Sequence, residues 1–599
     1  MKFAQITLAL PLNQFFDYSI PSDIKNIAIG SRVVIDFANR KLIGFVVGLK
    51  DNSKIIKIKP IIKLLDKTPL LSAELLIFTK LLAEYYHTSW GQMIESAIPK
   101  PLRNAKSIDI DINTSLKQPR NNNKKNSEIF AILGSDDFRF NFYCEKIKES
   151  LKNNEQILIV TPNINSINKI KMKLTEYFGI EPCALTRYQK TKESVNNWIS
   201  IKNSNTKIII GTMSTIFAPC DNLGLIIIDD EDNSAYKQER APFYHVRNAA
   251  IIRSKINKCT LIFGSECLSI ETFYLTKISK AKLIEEKTNR NIHVNIIDMN
   301  KEFYRTKKGE FLSSRLESEI NSLITKGDTI GIFLNRRGFA TTLKCKKCNF
   351  ILKCPRCDIN LVYDFKSKFA YCRICRHKVE PPKICPHCQA SNLSYLGLGI
   401  EKLASYLYRV FPQANKKIDI LEQKTIKENT TLKNTAIVLG DILLNMPDCN
   451  ASEKTFSLFY RLFNLTINNF YIQTYLPHHY IWQAIKKNDP FIYYEKELGL
   501  RKELKFPPFW HFIQIVLRGK NSDNIKEKSF DLFKIIETKI PKDLILYPPQ
   551  PAHPAKIRGN FRWQILLKTK NILKTNKFLT SNLKNLRFSN IILTINVDP

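Results

Sequence analysis

The sequence predicts a multidomain α/β protein: a β-rich N-terminal domain, two α/β units in tandem with a cysteine-rich module inserted in the second, and a C-terminal α+β domain. Three observations carry this. Short β-branched runs alternate with helical segments across residues 129–290 and again beyond 291, the pattern of parallel sheets covered on both faces. Four Cys-x-x-Cys pairs, Cys345/Cys348, Cys354/Cys357, Cys372/Cys375 and Cys385/Cys388, fall within 44 residues. At 599 residues the chain is long enough for three or four domains with sizeable cores.

The first segment, MKFAQITLALPLNQFFDY, has the outline of a secretory leader. Gln5 and Pro11 interrupt it and no small-residue cleavage site follows, so it reads as a first strand. Apolar runs at 31–37 and 42–47 alternate with turns, and helical periodicity follows over 72–86, which makes residues 1–105 a small β-rich domain ending in a helix. Residues 114–127 carry almost no apolar side chain, so 106–128 reads as a linker. The runs 157–160, 207–210, 225–228 and 260–263 are the strands of the first α/β unit, residues 129–290. The second unit occupies 291–343 and 392–505, opening with a strand at 329–334 and interrupted by the cysteine module at 344–391. After Lys505-Phe506-Pro507-Pro508-Phe509, residues 506–599 form the C-terminal domain.

Lysine and arginine outnumber aspartate and glutamate by 92 to 55, a net charge of +37. A field of that sign attracts polyanions, nucleic acid first. Part of the excess belongs to a general richness in Lys, Asn and Ile, as an AT-biased genome encodes. No apolar run approaches the ~18 residues that cross a bilayer, so no membrane partner is expected. The thiol clusters suit a reducing cytoplasm.

The four cysteine pairs predict two zinc ions. A two-residue gap lets both sulfurs of one knuckle reach the same ion at about 2.3 Å, and Zn²⁺ takes four thiolates tetrahedrally. The 14 residues between the second and third pairs can form a hairpin. A nested arrangement follows: Cys354, Cys357, Cys372 and Cys375 on one ion, Cys345, Cys348, Cys385 and Cys388 on the other. A disulfide framework or a redox pair fits four regular knuckles less well. His377 and His387 read as surface residues, since eight thiolates complete both shells.

Two α/β units in tandem, with the acidic tetrad Asp229-Asp230-Glu231-Asp232 after a buried strand, have the layout of a superfamily 2 helicase with two RecA-like lobes. The continuation Asn233-Ser234-Ala235-Tyr236-Lys237-Gln238-Glu239, then Phe243-Tyr244-His245-Val246-Arg247, resembles the PriA family of replication-restart helicases. So do Asn335-Arg336-Arg337-Gly338-Phe339, the Cys-Pro-Arg-Cys and Cys-Pro-His-Cys knuckles, and Gly397-Leu398-Gly399-Ile400-Glu401-Lys402. Gln473-Thr474-Tyr475, Arg501-Lys502-Glu503-Leu504, Arg562-Trp563-Gln564 and Val597-Asp598-Pro599 extend the likeness over nearly the whole chain. The resemblance implies a cytoplasmic bacterial protein that recognises stalled or collapsed replication forks and directs reloading of the replicative helicase. Implied partners are fork and single-stranded DNA, other primosome proteins, single-stranded-DNA-binding protein and the replicative helicase. It also implies that the N-terminal domain captures a 3′ end through Phe16-Asp17-Tyr18 and Lys59. Those residue types suit the task, because a carboxylate accepts a hydrogen bond from a 3′ hydroxyl while an aromatic ring stacks on the last base. Phe16 and Tyr18 read equally well as core residues of a strand.

Against that family pattern the nucleotide apparatus is altered in three places. A phosphate loop needs glycines, a lysine and a hydroxyl ligand for Mg²⁺, yet the expected position reads Leu133-Gly134-Ser135-Asp136-Asp137-Phe138-Arg139-Phe140. Gly134, Ser135 and Arg139 are what remains of the loop, with Arg139 standing for the lysine. The family's Asp-Glu-Glu-His has become Asp229-Asp230-Glu231-Asp232, and its Gly-Ser-Ala-Thr has become Gly264-Ser265-Glu266-Cys267. The arginine-finger motif is absent where Arg461-Leu462-Phe463-Asn464 passes toward Gln473. About 25 residues follow Arg103 before the first α/β unit, too few for the family's winged helix. The expectation is a fork-binding restart protein with two Zn²⁺ and no turnover of Mg·ATP, in which Asp229, Asp230 and Glu231 are vestigial. An active 3′-to-5′ helicase with an atypical ATP site and a general zinc-containing nucleic-acid scaffold stand as alternatives.

Overall fold

The computed structural model describes residues 2–599 except 54, 56, 105–126, 187–188, 288–289, 307–311, 335–341, 365–366, 392, 397–399, 415–416, 422–430, 584–585, 587 and 589. The linker expected at 106–128, apart from its last two residues, and the motifs at 335–339 and 397–399 lie outside the described residues.

The N-terminal strands form one antiparallel sheet in the order Phe16–Ser19, Phe3–Leu8, Arg40–Lys50, Arg32–Phe37, Ile61–Leu64. A bridge between Ser19 and Pro60 brings its two edges together. Phe3–Leu8, the segment with the outline of a leader, is an interior strand whose Ala4, Ile6 and Leu8 point into the core. Helix Ala73–Tyr85 starts where Ser72 accepts a hydrogen bond from the Leu75 N–H, one of the donors a helix leaves unpaired at its start. Its Leu75, Leu76, Phe78, Leu82 and Ala83 are buried on one face, the i, i+3, i+4 spacing of a core-facing helix.

The first α/β unit holds a seven-stranded parallel sheet: Lys282–Glu285, Ile129–Leu133, Thr260–Ser265, Leu223–Asp229, Gln156–Val160, Ile208–Gly211, Cys183–Leu185. Leu223–Asp229 lies in the middle and is buried at every position, because helices cover both faces and leave no solvated side for polar residues. The second sheet is also parallel, in the order His293–Asp298, Thr466–Thr474, Leu432–Ile437, Ile330–Phe333, Ile418–Leu421. It opens with His293–Asp298, ahead of the strand expected first. That strand is an edge, where polar His293 and Asn295 are tolerated and break the apolar run.

The two units share a core in which Leu268, Ile270 and Phe273 meet Phe456, Phe459 and Tyr494, and Phe273 stacks on Tyr494 at 4.5 Å. The cysteine module leaves the second unit through paired strands Thr342–Cys345 and Leu393–Leu396. The C-terminal sheet is antiparallel, centred on His511–Gly519 and Asn560–Thr569, with helices Ser522–Glu537 and Ile572–Leu583 over it. Its core is continuous with the N-terminal helices and one face of the first α/β unit. Asn576 donates to the carbonyls of Glu84 and Tyr85 at 2.8 and 2.7 Å, and Lys237 donates to Val597 O at 2.6 Å. Among the described residues no helix is long and apolar enough to cross a membrane.

Candidate functional site

The cysteines gather in the nested pairing: Cys345, Cys348, Cys385 and Cys388 form one group, Cys354, Cys357, Cys372 and Cys375 the other, each with all ligand atoms within 4.8 Å of one another. Each knuckle is the same local device. The first cysteine's N–H and C=O are both bonded to the stretch just after the second cysteine, as in Cys354 N–H to Ile359 O and Asp358 N–H to Cys354 O, both 2.8 Å. The residue after the second cysteine, Asn349, Asp358, Arg376 or Gln389, is left-handed, with φ between 52° and 62°. The chain is thereby turned so that both sulfurs face inward. Sγ···Sγ separations of 3.6 Å for Cys345/Cys388, Cys348/Cys385 and Cys354/Cys375 compare with about 3.8 Å for the edge of a tetrahedron with 2.3 Å metal–sulfur bonds. They are far too long for disulfides, in which the sulfurs lie about 2.05 Å apart. Each group can hold one metal ion, and four thiolates leave no open position on it. His377 and His387 belong to neither group; His387 stacks on Phe350.

In the first α/β unit Ser135 caps helix Asp136–Lys152, so the backbone arrives at the helix N-terminus that would receive a phosphate. The Ser135 N–H instead donates to Glu286 Oε2 at 2.6 Å. Gly134 allows this approach, since a Cβ there would lie 2.9 Å from Glu286 Cβ. Arg139 is 2% exposed. It donates to Gly134 O (2.9 Å), Asp136 (2.7 Å), Asp229 (3.2 Å) and Asp230 (3.2 Å), so four acceptors already claim the guanidinium. Asp136 is bound by Arg139 and Lys169, and Asp137 by Lys173.

The tetrad is equally engaged. Tyr143 donates to Asp229 Oδ1 at 2.9 Å; burial pushes the Asp229 carboxyl up to about 6, against the pull of Arg139. Asp230 sits at φ 49°, a left-handed turn that Asp tolerates. Buried Glu231 accepts from the Ser269 N–H (2.6 Å), the Ser269 hydroxyl (2.9 Å) and Arg247 (3.4 Å). The altered segment Gly264-Ser265-Glu266-Cys267 keeps its link to the tetrad: Ser265 donates to Asp232 at 2.6 Å and Glu231 N–H to Gly264 O at 3.2 Å.

Arg461, on helix Ala451–Leu465 beside the second sheet, crosses to this cluster. It donates to Asp232 at 2.7 Å, Ser265 at 3.2 Å and Asp230 at 3.4 Å, and Ser457 donates to Asp232 at 2.6 Å. A second bridge runs from Arg501 to Glu453 and Glu497, both at 2.8 Å, and on to Glu271 at 3.7 Å, which Arg247 also holds at 2.8 Å. Sequence reasoning passed over Glu286 and gave Arg461 no role. No local signal marked either residue, since Glu286 lies 151 residues from Ser135 and Arg461 229 from Asp232.

In the N-terminal sheet Phe16 and Tyr18 share the core face. Phe16 packs edge-on against Phe37 at 4.9 Å, and buried Tyr18 donates to Asp36 O at 2.8 Å. Asp17 takes the opposite face, where Ser53 donates to it at 2.7 Å and Lys50 at 3.5 Å. Lys59 pairs with Asp36 at 3.1 Å rather than with Asp17. The strand's alternation thus separates the carboxylate from both rings of the quoted motif.

Two parallel α/β lobes facing each other across an acidic loop, with a double four-cysteine insert in the second, define a helicase-like protein of the two-lobed RecA type. Residues 5–99 match the model of the 3′DNA-binding domain (3′BD) of PriA, and residues 502–599 that of the primosomal protein N C-terminal domain. The replication restart protein PriA of Rickettsia conorii is 28% identical over 662 residues, covering 100% of this chain and 99% of that protein. That of Chlamydia trachomatis is 30% identical over 514 residues, covering 79% of this chain and 68% of that protein. Among solved structures, RecG bound to a three-way DNA junction aligns over 62% of this chain and 43% of that chain, at 10% identity and a TM-score of 0.33. The chain belongs to the PriA family of replication restart proteins.

Proposed function

We propose that this protein binds stalled or collapsed replication forks and promotes reloading of the replicative helicase without hydrolysing ATP or unwinding DNA itself. The observation that carries the second half is the occupied nucleotide site: Glu286 sits on the amide that would receive a phosphate and Arg139 is consumed by Asp136, Asp229 and Asp230. Mg·ATP would have to displace a buried guanidinium and a carboxylate from mutually satisfied partners, leaving both charges exposed to loss of pairing. Asp229, Asp230 and Glu231 then serve the fold, not a reaction.

Fork binding is supported by the N-terminal match and by the net charge of +37. Asp17 is the residue we assign to a 3′ hydroxyl, with Phe16, Tyr18 and Lys59 shaping the strand around it. The two cysteine groups hold Zn²⁺, with a structural role. We divide the chain into the 3′-end domain (1–105), a linker without a winged helix (106–128), two lobes (129–290; 291–343 with 392–505), the zinc module (344–391) and the C-terminal domain (506–599). A cytoplasmic setting, single-stranded DNA, single-stranded-DNA-binding protein, other primosome proteins and the replicative helicase complete the reading. Two measurements test it: ATP turnover with and without fork DNA, expected at background, and competition between a fork bearing a 3′ end at its branch and plain duplex, expected to favour the fork. Robust fork-stimulated turnover lost in Asp229→Ala would establish the active-helicase alternative, and equal binding of fork and duplex the general scaffold.

A further inference from the structure

We propose that the nucleotide cleft of this chain has become a self-bridged joint, which holds the two lobes closed with no nucleotide present and gives fork DNA a single fixed arrangement of them. The inference rests on the ATP-independent reading and goes beyond it, because loss of turnover alone leaves the lobes free to move.

Three substitutes pair the groups that a nucleotide would otherwise bridge. A carboxylate, Glu286, takes the phosphate's place at the Ser135 amide. A guanidinium, Arg139, supplies the positive charge that lysine and a metal would bring, and binds both Asp229 and Asp230. The third substitute spans the lobes: Arg461 and Ser457, from the second, both donate to Asp232 of the first, whose side chain is only 4% exposed. In a nucleotide-driven machine the facing groups of two lobes are bridged by the ligand, and closure follows its binding. Here they bind one another. Asn464 adds a contact to Glu266 at 3.3 Å, and Glu453 accepts from the Ile270 N–H at 3.3 Å while held by Arg501. Opening would strand Asp230, Asp232 and Glu453 with fewer partners, and a buried ion pair that loses one member is strongly unfavourable.

The test is an interlobe distance in the full-length, metal-loaded protein. Paired spin labels are introduced as unnatural amino acids at Met172 and Tyr408, one on each lobe and 72% and 75% exposed, which spares the cysteines. The expected result is one narrow distance distribution, unmoved by millimolar Mg²⁺ with a non-hydrolysable ATP analogue. Arg461→Ala and the milder Asp232→Asn should each broaden it toward longer distances, while Arg461→Lys should broaden it less. A distribution in the intact protein that shifts with the analogue, or that is already broad, would overturn the joint, and this arm needs no variant to fold. A distribution left narrow by both Arg461→Ala and Asp232→Asn would also overturn it. Fork-stimulated ATP turnover beside a narrow, unmoved distribution would instead overturn the ATP-independent reading and leave the joint standing.

Discussion

The backbone N–H of Arg558 donates to Cys357 Sγ at 3.3 Å, joining the tip of a C-terminal hairpin to a cysteine 201 residues earlier in the chain. The hairpin presents Arg558 and Gly559 at φ 49° and 81°, the doubly left-handed turn that suits a two-residue connection. Gly559 N–H adds a bond to Arg356 O at 2.8 Å, and Lys556 one to Pro355 O at 3.3 Å. Among the described residues the hairpin thus grips one knuckle of the inner cysteine group and none of the outer.

Metal analysis should find two ions per chain, because both groups offer complete tetrahedral shells. Stripping the metal should unfold the knuckles and release the hairpin. Hydrogen exchange at residues 557–560 should then rise in Cys354→Ser and stay near its original rate in Cys345→Ser. Equal rises in both would show that the inner group does not hold the hairpin.

Arg139→Ala should destabilise the first lobe by about 3–5 kcal/mol, since it leaves buried Asp229 without its main counter-charge and half-buried Asp230 with Arg461 alone. Urea denaturation followed by tryptophan fluorescence measures this. Arg139→Lys should restore no ATP turnover, because Phe140 would still stand where the hydroxyl ligand for Mg²⁺ is needed and Glu286 would still sit on the Ser135 amide.

Fork binding should weaken steeply with salt, as phosphate neutralisation releases counterions. If Asp17 accepts a bond from a 3′ hydroxyl, a 3′-phosphate should cost about 1.5–3 kcal/mol, roughly tenfold or more in affinity. Asp17→Ala should erase that difference without changing the salt slope. Titrations by fluorescence anisotropy decide this, and equal binding of both ends by the intact protein would rule out end capture.

His511 Nδ1 lies 2.8 Å from Asp598 Oδ2. Burial works against the imidazolium, but the Asp598 charge and hydrogen bond, helped by Glu271, outweigh it and raise the His511 pKa above its ordinary 6.5. A histidine raised on folding binds its proton more tightly in the native state. Its contribution is therefore fully present below about pH 6.5 and is lost as pH rises through the raised value. Stability of the C-terminal domain should fall over that window, and Asp598→Asn should flatten the dependence in thermal melts taken from pH 6 upward.

Much was determined by the sequence alone. Strands such as Leu223–Asp229 are legible because burial on both faces demands an unbroken apolar run, and the cysteine groups because two-residue spacing is the reach of one knuckle around one ion. Edge strand His293–Asp298 was hidden by the same logic, since a half-solvated strand carries polar residues. The loss of the phosphate loop was readable as missing residue types. What fills its place was not. Glu286 is 151 residues from Ser135, and Arg461 is 229 from Asp232. A charge carries no mark of its partner along the chain, so only the packing of the two sheets decides which carboxylate meets which guanidinium.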